Sequence, residues 1–406
     1  MKTRKLFKKI LCLALALALC AGLSACDKGE PTGYDRDTPQ ITGLPIQHEL
    51  EFGGVYIEIK IDDFNKLGFR YGDSVKVQFS NGYTLEDLPY YNGYYVDAGE
   101  PLLIAYPGYD FIKAAINYGA DLWEEGGLYA GQKEDLFVKA KLDEHCTAGV
   151  YLNEHGKYLD VQEARDIHYY DERERYPSDE VFANFRNIFP GNIKEGVLYR
   201  SASPCDNQHN RAPYVDALIE KAGVRCILNL SDNDEKIARY MAKDDFKSLY
   251  FKSLYEAGNV IPLAMAMNFS ADDFREKIAD GFTRMAEKEG PYLVHCTEGK
   301  DRTGFICMLL EALMGASYQE IVDDYMLTYD NYYEITEEKD KAKYDVILEK
   351  NLIAMLYTVA GTKDIDLRTA DLSALAKTYL KDGCGMTDTA IEALIGRLGR
   401  WERIRK

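Results

Sequence analysis

Two patterns of hydrophobic and polar positions divide the chain. From about residue 41 to 140, apolar residues fall on every second position. Val55, Ile57, Ile59 and Ile61 alternate with polar partners, and Val75, Val77 and Phe79 do the same before Ser80-Asn81-Gly82. A period of two predicts strands with one buried face, and Asn-Gly between two such runs predicts a hairpin. A further pair of strands is expected through GYYVDAGEPLLIAYP, and one helix through DFIKAAINYGADLW from Asp110. Residues 41–150 therefore read as a small β-rich accessory domain, a barrel or sandwich with a helix on one side. Residues 151–180 turn charged and Tyr-rich and read as a linker or inter-domain strap.

From about 181 the pattern changes. GVLYRS (196–201), VRCILNL (224–230), SLYFKSL (248–254) and YLVHC (292–296) are apolar runs of strand length. Helical segments lie between them: NRAPYVDALIEKAG, NDEKIARYMAK, and Ser270 to Lys288, started by Ser270 with Asp273 three residues on. Strands alternating with helices predict a parallel sheet covered on both faces. After the last strand nearly every residue from Thr303 to Met314 is apolar, which predicts a helix buried all round. Gly315 ends it, and Ser317 with Glu320 forms a capping box for the next helix. The expected fold class is α/β, a central mostly parallel sheet flanked by helices over 181–406, plus the small β-rich N-terminal domain.

The first residues carry a different message. MKTRKLFKK precedes ILCLALALALCAGL and then Leu23-Ser24-Ala25-Cys26. A basic start, a short apolar stretch and small residues before a cleavage point make a secretory signal over 1–25. The apolar stretch is short for a membrane span, which needs roughly 20 residues. Polar, Pro- and Gly-bearing residues 26–40 suit a tether. The chain carries a net charge of −18, and the basic start leaves the remainder more acidic still. Such a surface repels phosphate backbones, so no nucleic-acid partner is expected. Beyond residue 26 the cysteines are Cys146, Cys205, Cys226, Cys296, Cys307 and Cys384, scattered and without any CxxC. That excludes a disulfide framework and a zinc site by spacing. No metal and no cofactor are expected.

One segment concentrates chemistry: His295-Cys296-Thr297-Glu298-Gly299-Lys300-Asp301-Arg302-Thr303-Gly304. A cysteine ends a buried strand, an arginine follows six residues later, and a helix begins at once. A loop that tight can turn its backbone N–H groups inward to form an anion nest. The positive end of the following helix strengthens that field. Both effects favour a thiolate, and Arg302 adds a planar fork for two phosphoryl oxygens. His145-Cys146-Thr147-Ala148-Gly149 repeats the first residues of the motif, but Leu152 stands where the arginine belongs, so Cys146 reads as structural.

The loop resembles the signature H-C-x5-R-[ST] of the Cys-dependent tyrosine-phosphatase superfamily, and HCTEGKDRTG is similar to its bacterial H-C-x-x-G-K-D-R-T-G branch. FANFRNI (182–188), GVLYRSASP (196–204), IVDDYMLTYDNYY (321–333) and YLKDGCGMTDTAIEALIGRL (379–398) extend the resemblance over roughly 181–400. LSAC likewise resembles a bacterial lipobox, which implies lipidation of Cys26 and an exported, membrane-anchored, extracytoplasmic protein. Residues 41–140 resemble, over roughly 80 residues, the small barrel of the S-adenosylmethionine hydroxide adenosyltransferases, whose catalytic domain is absent. The phosphatase resemblance implies Cys296 as nucleophile, forming a phosphocysteine intermediate. Arg302 and the loop residues Thr297, Glu298, Gly299, Lys300, Thr303 and Gly304 would bind the phosphoryl group, with Thr303 assisting departure of the sulfur. His295 would orient the loop. The related branch points to Asp301 as general acid, since VIPLAMAM (260–267) holds no acid; Asp232 and Asp234 are alternates.

Lys300 suits a phosphoinositide, while Glu298 and the acidic chain favour a phosphotyrosine or phosphoserine protein or a small phosphoester. Asn207, His209, Asn210 and Arg211 could line the rim or cap a helix. A phosphatase is the leading expectation. A silent phosphoprotein-binding module and a sulfur-transfer or arsenate-reducing enzyme are the competing classes.

Overall fold

The computed structural model describes residues 38–50, 52–128 and 146–400. The secretory signal, Cys26, most of the tether and His145 lie outside the described residues. Among the described residues no helix is long and apolar enough to cross a membrane.

The N-terminal pattern of period two closes into a seven-stranded barrel. Its strands are β1 (Gln40–Glu49), β2 (Gly54–Lys60), β3 (Ser74–Phe79), β4 (Thr84–Tyr91), β5 (Pro101–Ile104), β6 (Phe111–Ile116) and β7 (Thr147–Glu154), in the order β1-β2-β6-β5-β4-β3-β7. β7 pairs with both β1 and β3, so closure leaves no edge strand. Val55, Ile57, Val75, Val77, Phe79, Ile112, Ala114 and Val150 fill the interior. β7 runs to Glu154, past the expected boundary at 150.

Two expectations for this unit are corrected. The segment read as a helix from Asp110 is strand β6, followed by a turn and the short helix Leu122–Glu125. Ala and Lys favour a helix locally, but Ile112 and Ala114 face inward and pair with Ile57 and Val55 of β2. Burial on a two-residue period overrides propensity there. Lys113, between them, is buried with its ammonium over the rings of Tyr56, Tyr94 and Tyr109, and Glu49 lies 3.6 Å away. Of the expected strand pair, only Pro101–Ile104 forms; GYYVDAGE is an irregular loop.

The second unit is a five-stranded sheet of β8 (Arg186–Ile188), β9 (Leu198–Ser201), β10 (Cys226–Asn229), β11 (Val260–Pro262) and β12 (Tyr292–His295), in the order β11-β10-β12-β9-β8. Four strands are parallel and β8 is an antiparallel edge. SLYFKSL, expected as a strand, is the helix Leu249–Glu256. Phe251 and Leu254 lie on one helical face, and the Asp216 carboxylate accepts the Tyr250 and Phe251 N–H groups at the helix start. The strand in its place is β11, in the acid-free VIPLAMAM run.

Side chains of successive residues on β10 and β12 enter opposite cores. Leu228 and Val294 pack under helices Asp272–Glu287, Asp301–Leu313 and Tyr318–Tyr333, while Ile227 and Leu293 pack under Ala212–Lys221 and Leu249–Glu256. Helix Asp301–Leu313 is buried from Thr303 onward, and Ser317 and Glu320 form the expected capping box. β12 is the middle strand, so its C-terminal end opens where ligands bind in open α/β sheets.

Candidate active site

Cys296 leaves the end of β12 and is only 3% exposed, at the base of the loop that leads into helix Asp301–Leu313. Gly299 turns this loop at φ +69°, and a Cβ there would stand 2.3 Å from the Ser201 carbonyl oxygen. Only glycine fits. The turn also faces the Gly299 carbonyl outward, where Arg200 Nη2 (2.8 Å) and Asn184 Nδ2 (3.2 Å) donate to it. Among the described residues, no acceptor is engaged by the backbone N–H groups from Thr297 to Arg302. A carbonyl drawn out of the loop and a run of free N–H groups is the geometry of an anion nest.

Arg302 is fixed against this nest. Its Nη1 donates to the Met265 carbonyl at 3.1 Å and its Nη2 to Thr297 Oγ1 at 3.4 Å. Its Nε is buried without a partner, as is Thr303 Oγ1 in the first turn of the helix. Both are polar atoms with hydrogen bonds left to make. The buried Arg200 and Arg186 share Asp324, at 2.5 and 2.7 Å, and their charges overcome burial to hold its carboxyl down at about 2. Glu311 is buried beside this cluster. Burial first, and Asp324 second, push its carboxyl well above the usual range.

His295 is fully buried, with Nδ1 3.1 Å from the Cys296 carbonyl oxygen. A carbonyl can only accept, so Nδ1 carries the proton. Burial, helped by the Arg302 charge, lowers the imidazole pKa to about 4 against the Cys296 carbonyl and Asp232. His295 is therefore neutral, with its Nδ1–H turned to the backbone at the base of the loop.

The rim carries paired charges. Lys300 Nζ lies 3.0 Å from Glu298, 3.2 Å from the Tyr333 hydroxyl and 3.8 Å from Asp301. Burial opposes its charge, but Asp301, Tyr333 and Glu298 outweigh it and raise its pKa well above that of an ordinary lysine. Glu298 also accepts from Tyr169 at 3.0 Å, a residue of the 151–180 strap. Burial raises its carboxyl, while Lys300, Tyr169 and His209 prevail and leave it below the ordinary range. Asp301, the first residue of the helix, keeps a third of its side chain exposed.

Several expected residues have other work. Gly304 is buried, and a Cβ on it would meet the Tyr325 ring at 2.6 Å; it lets two helices approach and does not face the nest. Arg211 is 3% exposed and ties the strap through Asp171, Tyr170 and Tyr176. Asn207 accepts the N–H of Ala212 at the start of its helix, and His209 meets Tyr169 and Asp171. The six described cysteines are free and buried. Burial lifts Cys226 to about 11 and Cys384 to about 12, and raises Cys205 and Cys307 as well. Among the described residues no group of His, Cys, Asp and Glu is arranged to hold a metal ion.

Sequence reasoning missed Asn184, Arg200, Met265 and Tyr169. The first two lie inside FANFRNI and GVLYRSASP, where an arginine and an asparagine beside buried strands were the available signal. Met265 acts through its backbone, which no side-chain pattern records.

Residues 182–399, more than half of the chain, match the tyrosine phosphatase family. A protein of Cupriavidus necator, provisionally named a tyrosine-protein phosphatase, is 45% identical over 53 residues. That match covers 13% of this chain and 19% of the relative, so it spans less than a fifth of the relative's length. Among solved structures, the core catalytic domain of a PP-IP phosphatase from S. cerevisiae, in complex with citrate, is 18% identical, covering 45% of this chain and 93% of that one at a TM-score of 0.25. The family match encloses the whole sheet, the loop from Cys296 to Arg302 and the helices that hold it, and on that span the chain belongs to the tyrosine phosphatase family.

Proposed function

We propose that the chain hydrolyses phosphate monoesters on proteins, phosphotyrosine foremost, through a covalent phosphocysteine on Cys296. The observation that carries this reading is the run of unengaged N–H groups from Thr297 to Arg302 above a buried cysteine, closed by a pinned arginine with a spare buried Nε. The Cys296 sulfur attacks phosphorus as the bond to the ester oxygen breaks, and Asp301 gives that oxygen its proton. Water then attacks the phosphocysteine and gives a proton to the Asp301 carboxylate, the P–S bond breaks, inorganic phosphate leaves, and the thiolate and the Asp301 acid are both restored. The nest and Arg302 hold the equatorial oxygens in both steps.

The neutralised rim favours a single phosphate over a polyphosphorylated inositol. Lys300 already has Glu298, Asp301 and Tyr333 as partners, so it offers little free charge to a second phosphate. In the presence of a chelator, phosphate release should be faster from a phosphotyrosine peptide than from an inositol polyphosphate. Glu298→Ala should lower KM for the inositol ester about 5–10-fold and leave the peptide nearly unchanged, because it frees one partly screened charge. Faster turnover of the inositol ester by the wild type would move the assignment to a phosphoinositide or inositol phosphate phosphatase.

We further propose that the enzyme works outside the cytoplasm, anchored through lipid on Cys26, a reading supported by the basic-apolar-LSAC order of the first residues. Cys26→Ser should shift the protein from the membrane pellet to the soluble fraction; unchanged pelleting after this substitution would remove the anchor.

A further inference from the structure

The catalytic loop is gripped from outside by its carbonyls. In a trans peptide the N–H points away from the C=O, so a carbonyl held outward turns the next residue's N–H into the nest. Three successive carbonyls are held this way. Thr297 O accepts the Ser203 N–H at 3.0 Å, Glu298 O accepts the Tyr332 hydroxyl at 2.8 Å, and Gly299 O accepts from Arg200 and Asn184. These bonds aim the N–H groups of Glu298, Gly299 and Lys300 inward. Gly299 at φ +69° followed by Lys300 at φ −102° supplies the left–right alternation that makes neighbouring N–H groups converge.

Two of the three grips lead back to one helix. Asp324, Thr328 and Tyr332 stand at every fourth position of helix Tyr318–Tyr333 and so share a face. Tyr332 reaches the loop directly. The Arg211 guanidinium lies 4.9 Å from its ring and the Tyr169 ring 5.3 Å away, so its hydroxyl has a fixed aim. Burial raises its pKa against the pull of Arg211, which keeps it a donor. Asp324 reaches the loop through other side chains. Its Oδ2 accepts from Arg200 Nη1 at 2.5 Å, which leaves Arg200 Nη2 for Gly299, and its Oδ1 accepts from Arg186 Nε at 2.7 Å. Arg186 Nη1 donates in turn to Asn184 Oδ1 at 2.6 Å, and Thr328 Oγ1 accepts from both Arg186 and Asn184. An amide oxygen engaged in this way turns Asn184 Nδ2 toward Gly299. Asp324 therefore anchors both donors on the Gly299 carbonyl. Arg200 and Asn184 are fully buried, so water cannot stand in for a lost partner.

We propose that this face of helix Tyr318–Tyr333 is the template of the anion nest, with Asp324 and Tyr332 as positioning residues that set the peptide planes of the catalytic loop. This rests on the phosphatase reading above, in which those N–H groups hold the equatorial oxygens. A peptide released from its outer partner can turn its carbonyl toward the phosphoryl group and repel what its neighbour's N–H attracted. The loss then falls on the bound anion and on the transition state, beyond any change in fold stability.

The test uses the full chain. Tyr332→Phe removes one hydroxyl and keeps the ring. Tyr292→Phe is its control, because Tyr292 is also buried and its hydroxyl also donates to a carbonyl, Lys288 O at 2.7 Å, but at the start of β12, away from the loop. In a Cys296→Ser background, Tyr332→Phe should weaken binding of inorganic phosphate about 3–10-fold. With Cys296 present it should lower kcat/KM for p-nitrophenyl phosphate about 10–100-fold, chiefly in kcat, somewhat less than outright loss of an oxyanion donor. Tyr292→Phe should change either reading less than about 2-fold. Asp324→Asn should lose more than Tyr332→Phe in both; if it does not fold, Tyr332→Phe decides alone. Equal losses in Tyr332→Phe and Tyr292→Phe, no loss in Tyr332→Phe, or unchanged phosphate binding in a folded Asp324→Asn would each overturn the template. A wild type that binds phosphate but hydrolyses no ester would instead sink the phosphatase reading, and the binding comparison would still decide the positioning role.

Discussion

Cys296→Ser should bring phosphate release to background, a loss of about 10⁴-fold or more, while a phosphotyrosine peptide still binds. The two halves of this result come from different atoms. Attack on phosphorus needs the sulfur, because a serine hydroxyl at the same place holds its proton far more tightly than a thiol and does not supply the attacking anion. Removing the nucleophile of a unit that acts together costs nearly the whole rate. Binding rests instead on the N–H groups from Thr297 to Arg302 and on the Arg302 guanidinium, none of which the substitution touches. Phosphate release measured beside peptide affinity reads both. A variant that keeps a tenth of the wild-type rate would show that another group attacks. Four of the other described thiols are poor substitutes, since burial raises Cys205, Cys226, Cys307 and Cys384 above the ordinary range.

What the sequence reveals about this site follows from where each interaction is local. The loop is read directly because cysteine, glycine, arginine and helix start are neighbours in sequence, and their chemistry depends on that spacing. The sheet is legible where strands are long apolar runs, as in β10 and β12. It is not legible at β11, three residues long, whose pairing with β10 decides its state. The helix Leu249–Glu256 and strand β6 were exchanged for each other's class by the same ambiguity: a short apolar run carries too few periods to separate 3.6 from 2. The supports of the loop are long-range. Arg200 reaches Gly299 across 99 positions and Asn184 across 115, so their roles arise only once β9 lies beside β12. Tyr169 is more distant still in kind, because it comes from a segment that sequence treats as a strap, yet it donates to Glu298 of the loop. The tyrosine content of that segment was visible, but the face of the molecule it meets was not.

Asp301→Asn should separate substrates by their leaving groups. Three carboxylates are candidates for the general acid, and their surroundings differ. Asp232 is 2% exposed, and its Oδ2 already accepts from Ser231 at 2.9 Å and Asn229 at 3.2 Å. Asp234 sits in the first turn of helix Asp234–Met241 and accepts from Tyr255. Asp301 adjoins Arg302, keeps a third of its side chain open and, among the described residues, has only Lys300, at 3.8 Å, as an ion-pair partner. An alkyl or phosphoserine ester leaves as a strongly basic alkoxide and needs a proton in the transition state. Its turnover should fall roughly 10²–10⁴-fold in Asp301→Asn, the span of general acid catalysis. p-Nitrophenyl phosphate departs as a stable anion, so its loss should be far smaller. If Asp301 served only to hold Lys300, both substrates would lose the same factor, because a displaced rim does not distinguish leaving groups. The ratio of the two kcat/KM losses is therefore the measurement, and a ratio near one would return the proton to Asp232 or Asp234.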